Sequence, residues 1–279
     1  MELQTTTEPA YILGHSRREL DRLSAQAALF EPLTRELFRE AGLARGMRVL
    51  DVGCGSGDVS FLAAEFVGPD GHVVGVDRAP ESLARAERRN QDRGLRNVSW
   101  IRGDPTELEF DAPFDAIIGR LVLMYYRDPA SALRKLHHKL RPGGLIVFQE
   151  LDPGACRSFP VSPTYSKCVD LIWRTLEISG ARPQLGLELY PLFVSAGFPD
   201  TRLRMGGYIC GGLDNPLCEH IADVVGSLMP AMEKFGIASA EELDVDGLAD
   251  RLRREVSENG GVITSPSLVG AWSRKQSGS

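Results

Sequence analysis

Several protein classes are excluded by what the chain lacks. Its five cysteines (Cys54, Cys156, Cys168, Cys210 and Cys218) are odd in number and form no Cys-x-x-Cys pair. Neither a disulfide framework nor a structural zinc site is expected from them, and a reduced, cytoplasmic setting is. No apolar run approaches the length of a membrane span, and residues 1–9 contain no apolar stretch of the kind a secretory leader carries. Positive charge is in deficit: 32 Lys and Arg stand against 38 Asp and Glu, for a net charge of −6. That balance leaves no overall basic face for a phosphate backbone and argues against a nucleic-acid partner. Repeats and low-complexity tracts are absent apart from a short polar tail at 276–279. Aromatic residues make up only 7%, yet the apolar share of 43% over 279 residues supplies a sizeable core. The chain is therefore one large domain or a domain with a cap.

What is present begins at Arg48. The apolar run from Arg48 to Val52 reads as a buried strand. Gly53, Gly55 and Gly57 follow at alternate positions and allow a sharp turn with no Cβ between backbone and ligand. Val59 to Phe66 then reads as a helix whose free N–H groups point back at the turn. Such a strand, turn and helix cradle a small molecule at the carboxyl edge of a sheet. The spacing is G-x-G-x-G, not the G-x-G-x-x-G of the dinucleotide fingerprint. Asp51, inside the strand end, suits a cationic ligand better than a pyrophosphate. A second strand, His72 to Val76, ends in Asp77, twenty residues after Gly57. A carboxylate there offers two coplanar oxygens to the hydroxyls of a ribose. The competing role is a helix N-cap, but Arg78, Ala79 and Pro80 separate Asp77 from the helix that Pro80 opens. A third strand, Asn97 to Arg102, exits through Gly103, Asp104 and Pro105, and a fourth runs from Phe114 to Arg120.

The segment Val49-Leu50-Asp51-Val52-Gly53-Cys54-Gly55-Ser56-Gly57-Asp58 closely resembles the first motif of class I methyltransferases, which bind S-adenosylmethionine. The resemblance extends to Asp104, matching the family's acid at the adenine edge. It also covers Arg120-Leu121-Val122-Leu123-Met124-Tyr125-Tyr126, matching the loop where cofactor and acceptor meet, and Arg141-Pro142-Gly143-Gly144 before the fifth strand. It implies S-adenosylmethionine as cofactor, held by Asp51, Gly53, Cys54, Gly55, Gly57, Asp77, Arg78, Gly103, Asp104, Pro105 and Arg120. An N-terminal pattern, Tyr11…Gly14…Glu19…Arg22-Leu23…Gln26, looks like the cap of some small-molecule methyltransferases and adds Tyr11 and His15 to the pocket. The Asn-Pro-Pro-Tyr sequence of many amino-group methyltransferases is missing.

Five strand-helix alternations predict an α/β fold with a mainly parallel sheet covered on both faces. With the resemblance, the expectation is a Rossmann-like, seven-stranded, mostly parallel sheet. Two N-terminal helices, Arg18–Phe30 and Pro32–Ala41, precede it. The domain reading is an N-terminal helical cap at 1–45, a cofactor-binding core at 46–210 and 261–275, and a helical substrate cap inserted at 211–260. The implied reaction is methyl transfer to a small organic acceptor, with oxygen, nitrogen and carbon all open as the methylated atom. His15 and Glu150 are the candidate bases, with His220 in the cap a third. His137 and His138 are adjacent on a helix, point about 100° apart and cannot act together. A nicotinamide oxidoreductase lacks its glycine spacing and a Tyr-x-x-x-Lys pair here. A protein or tRNA methyltransferase, a non-catalytic binder of the cofactor and a homo-oligomeric state stay open.

Overall fold

The computed structural model describes residues 17–276, with side chains from Arg22 onward. Tyr11, Gly14 and His15 lie outside the described residues. The chain runs α1 (Arg17–Ala41), β1 (Arg48–Val52), α2 (Asp58–Val67), β2 (His72–Asp77), α3 (Pro80–Arg93), β3 (Val98–Arg102), β4 (Phe114–Arg120), α4 (Pro129–Lys139) and β5 (Leu140–Asp152). The rhythm then loosens through β6 (Ser158–Phe159), α5 (Pro163–Ile178), α6 (Leu189–Ser195), β7 (Arg202–Gly206) and β8 (Ile209–Gly211). It finishes with α7 (Pro216–Lys234), α8 (Ala240–Leu243), α9 (Leu248–Glu258), β9 (Val262–Thr264) and β10 (Ser267–Arg274).

The main sheet has seven strands in the order β3-β2-β1-β4-β5-β10-β7. The first five are parallel, and β10 runs antiparallel to both β5 and β7. Strand order reverses at β1, so the crevice beyond β1 and β4 is the place where a doubly wound sheet binds its ligand. Both faces are apolar because both are covered. Val49, Val73, Ile118 and Val147 pack with α1 and α2 on one face, while Leu50, Val76, Ile117 and Phe148 join the larger cluster on the other. That larger cluster takes in α4, α5, α6, α7 and α9, so the helical layer is wider than the segment 211–260: α5, at 163–178, packs against α7. Three very short strands form a second sheet, β6-β9-β8, which the sequence pattern did not reveal.

The expected break at Pro32 does not occur. A single helix of 25 residues runs through it. Proline removes one backbone hydrogen bond to the preceding turn, but Phe30, Leu37 and Phe38 are buried on both sides of it and hold the two halves to the core. His137 is likewise buried, edge-on to Phe198 at 4.9 Å, while His138 is exposed. Helix α1 reaches the sheet closely because β10 carries Gly270: a Cβ there would stand 2.6 Å from Leu37 Cδ1. Leu37 is fully buried and has no free direction in which to yield. Gly270→Ala is expected to cost about 1–3 kcal/mol by overpacking. Urea denaturation should show a lower midpoint with an unchanged slope.

Candidate functional site

A cavity of about 790 Å³ opens at the carboxyl ends of β1, β2 and β4, beneath α1, α5 and α7. The glycine turn forms one wall. Gly53, Gly55 and Gly57 have φ of 65°, 53° and 87°, a region that side chains with a Cβ rarely enter. At Gly53 a Cβ would also overlap the Val122 side chain from the loop after β4. Helix α2 starts directly behind the turn, at Asp58, so its unpaired N–H groups face the cavity side. The Ser56 hydroxyl, buried in the turn, has no partner among the described residues. Arg89 of α3 holds the turn from behind, donating to Ser56 O at 2.7 Å and to Asp58 Oδ1 at 2.6 Å. Sequence reasoning missed Arg89, because nothing in its spacing links it to a turn some thirty positions earlier.

Of the three carboxylates expected to hold the cofactor, only Asp77 lines the cavity. Its Oδ2 accepts from Gly55 N at 2.8 Å and its Oδ1 from Ala79 N at 2.9 Å. It therefore ties the tip of β2 to the turn and keeps lone pairs on both oxygens for a ligand. The N-cap of α3 is Ala79 and not Asp77. Asp51 is a correction. It faces the α1–α2 side of the sheet, is 1% exposed, and accepts from Ser60 Oγ at 2.5 Å. Burial pushes its pKa up to about 7, against the Ser60 hydrogen bond and the Arg120 charge. Asp104 stands beside the cavity, between two residues that line it. Its Oδ2 takes Arg78 at 2.6 Å, and its Oδ1 takes Thr106 N and Oγ1, each at 2.9 Å, and the Tyr126 hydroxyl at 3.3 Å. Burial alone would raise Asp104, but Thr106 and Arg78 hold it below the usual carboxylate range. Its neighbours Gly103 and Pro105 line the cavity, as do Cys54 and Arg78. Burial, with Asp51 and Asp77 close by, keeps the Cys54 thiol protonated.

Arg120 reaches the cavity from the end of β4. Its Nη1 donates to Thr34 Oγ1 of α1 at 3.0 Å, and that hydroxyl donates to Gln149 Oε1 of β5 at 2.7 Å. Glu150 is the second correction. It is fully buried, does not line the cavity, and accepts from Val122 N and Leu123 N. A carboxyl enclosed in this way has no reach to an acceptor, so the base role expected of it is withdrawn. His220 of α7 does line the cavity, edge-on to Phe30 at 5.8 Å. Burial, and then the charge of Arg22, draw its pKa down to about 4, so the ring is neutral at physiological pH. Around it the cap wall is apolar, built from Phe30, Ile172, Leu176, Ile221, Val224 and Leu228.

A glycine turn opening on a crevice at a strand-order reversal, with a carboxylate at the next strand tip, defines a nucleoside-cofactor site on an α/β fold. The chain belongs to the methyltransferase domain family, whose profile matches residues 43–196. Its cofactor is S-adenosylmethionine. The residues present fit that group: a glycine turn with three positive φ values, a buried hydroxyl at Ser56 with no partner among the described residues, and a carboxylate with free lone pairs at Asp77. Aklanonic acid methyltransferase DauC of Streptomyces sp. (strain C5) is 38% identical over 129 residues, covering 46% of this chain and 58% of that protein. Demethylmenaquinone methyltransferase of Geobacillus stearothermophilus is 34% identical over 183 residues, covering 61% of this chain and 78% of that one. The fold is shared with YcgJ of Bacillus subtilis at a TM-score of 0.57 and 19% identity, over 86% of this chain and 97% of that one. No helix among the described residues is long and apolar enough to cross a membrane, and all five cysteines are free.

The Asp51 carboxyl holds its proton to about pH 7 in the folded chain, but only to about 3.8 where unperturbed. Over that interval the native state binds the extra proton, so Asp51's contribution to stability falls as pH rises from 4 to 7 and is level above. Asp51→Asn, which keeps an acceptor for Ser60, is expected to remove that slope. Urea unfolding of both proteins at pH 5 and pH 8 measures it.

Proposed function

We propose that this chain transfers the methyl group of S-adenosylmethionine to a small, largely apolar organic acceptor of the secondary-metabolite kind. The observation that carries the reading is the division of one cavity. Its strand-end half is a polar turn with Asp77; its cap half is apolar except for Arg22, Gln26 and His220. Acceptors named for the relatives, aklanonic acid and demethylmenaquinone, are of this small organic class.

The cofactor, when bound, supplies a sulfonium methyl that a nucleophile takes by in-line displacement. Asp77 serves the ribose hydroxyls, and the Ser56 hydroxyl with Arg120 serves the amino-acid end. Gly53 and Val122, in contact, close the floor between the two halves. The apolar cap wall excludes water and aligns the acceptor, an effect worth up to about 7–11 kcal/mol when alignment is complete. His220, neutral and facing the acceptor, accepts the proton of an acceptor hydroxyl at a ring nitrogen. A ring with so low a pKa is a weak base, so its part lies at the lower end of general-base catalysis, about 10²-fold.

The test is methyl transfer from labelled S-adenosylmethionine to a panel containing aklanonic acid and demethylmenaquinone in oxidised and reduced forms. Labelled organic product is expected. Tight cofactor binding with no transfer to any small molecule would reject the reading and leave a binding protein or a macromolecular acceptor. Asp77→Ala is expected to lose S-adenosylmethionine binding in calorimetry while the chain stays folded by circular dichroism; an unchanged affinity would count against the ribose role. His220→Ala is expected to lower turnover by about 10²-fold with cofactor affinity unchanged. Loss of affinity instead would show the ring to be a cofactor contact.

A further inference from the structure

The loop after β4 is built against the preference of its own residues. Leu121 has a φ of 55°, one of two non-glycine residues with positive φ among those described. A leucine in the left-handed region is disfavoured and persists only where its surroundings hold it there. Three hydrogen bonds from β5 supply that hold. Leu121 N donates to Gln149 O at 2.8 Å, and Glu150 Oε1 accepts from both Val122 N at 2.9 Å and Leu123 N at 2.7 Å. These two amides fall beyond the last ladder pair of β4, Arg120 with Gln149, so no strand supplies their acceptors. The consequence is spatial. Val122 is pressed onto Gly53, and Leu121, Val122 and Met124 become cavity wall.

We propose that Glu150 is a positioning residue: its buried carboxyl, by holding the amides of Val122 and Leu123, fixes the floor between cofactor and acceptor. The residue acts through the loop and touches neither ligand. This deepens the methyltransferase reading and rests on it for the meaning of the floor, but the loop geometry is tested separately. The second oxygen, Oε2, is buried without a partner among the described residues. Burial raises the group to about 8, against the pull of the loop amides, so the carboxyl is largely neutral at physiological pH and glutamine is its close mimic. A glutamine Oε1 accepts the same two N–H groups; an alanine accepts neither.

The experiment compares wild type, Glu150→Gln and Glu150→Ala at a temperature well below unfolding. Amide hydrogen exchange at Val122 and Leu123 and the affinity for S-adenosylhomocysteine by calorimetry are the readouts. The wild type should protect both amides although they lie outside the strand ladder. Glu150→Ala should lose that protection and bind S-adenosylhomocysteine about tenfold more weakly. Glu150→Gln should keep protection, and affinity within about twofold. A Glu150→Ala protein with protected amides and unchanged affinity would overturn the proposal, as would a Glu150→Gln protein that has lost both. If Glu150→Ala does not fold, the wild-type amides and the glutamine variant still decide it: unprotected wild-type amides refute it. Failure of the wild type to bind S-adenosylhomocysteine would instead strike the cofactor reading and leave the amide result standing.

Discussion

Everything at this site depends on how near two backbone turns come to each other. The turn after β1 and the loop after β4 meet at Gly53 and Val122 with no room for a single added carbon. Because they meet, one continuous wall runs from the polar end of the cavity to the apolar end. The contact is held from several sides: Asp77 grips Gly55 from β2, Arg89 grips Ser56 from α3, and Glu150 grips the opposing loop from β5. None of these holds is an apolar contact. Hydrogen bonds to backbone atoms, buried or half-buried, fix position more sharply than packing does, because leaving one unmade exposes an unsatisfied polar group.

Beneath that wall lies a polar layer where a parallel sheet is ordinarily dry. Asp51, Ser60, Arg120, Thr34 and Gln149 come from β1, α2, β4, α1 and β5. Burial of a carboxylate is costly unless it is partnered or protonated, and Asp51 shows both remedies: a hydroxyl donor from Ser60 and a pKa near neutrality. The layer holds the guanidinium of Arg120 against the cavity, and it does so from the side of the sheet opposite Glu150.

The sequence made the sheet, its glycine turn and the tip carboxylate at Asp77 legible, because each rests on local chemistry: apolar runs, missing Cβ atoms, a charge at a strand end. The side of the sheet that Asp51 takes was not legible. A strand buried on both faces has no polar alternation, so nothing marks inward from outward, and the carboxylate had to be placed by its partners. Glu150 misled for the same reason: a strand-end acid reads as crevice-facing, whereas the unpaired amides of the next loop turned it inward. His220 carried no spacing signal, since α7 reaches the cavity by tertiary folding from a stretch about a hundred residues beyond Arg120. The unbroken α1 shows the limit of a proline as punctuation. One lost backbone bond is small beside the burial of Phe30, Leu37 and Phe38.

Helix α1 does two jobs along its length. Its first half presents Arg22, Leu23, Gln26 and Phe30 to the cavity, while its second half carries Thr34 to Arg120 and Leu37 to Gly270. The joint between the two is Pro32. Upstream of it the side chains line the cavity, and downstream Thr34 accepts from an arginine of the sheet. One helix thus ties the lining of the cavity to the polar layer inside the sheet.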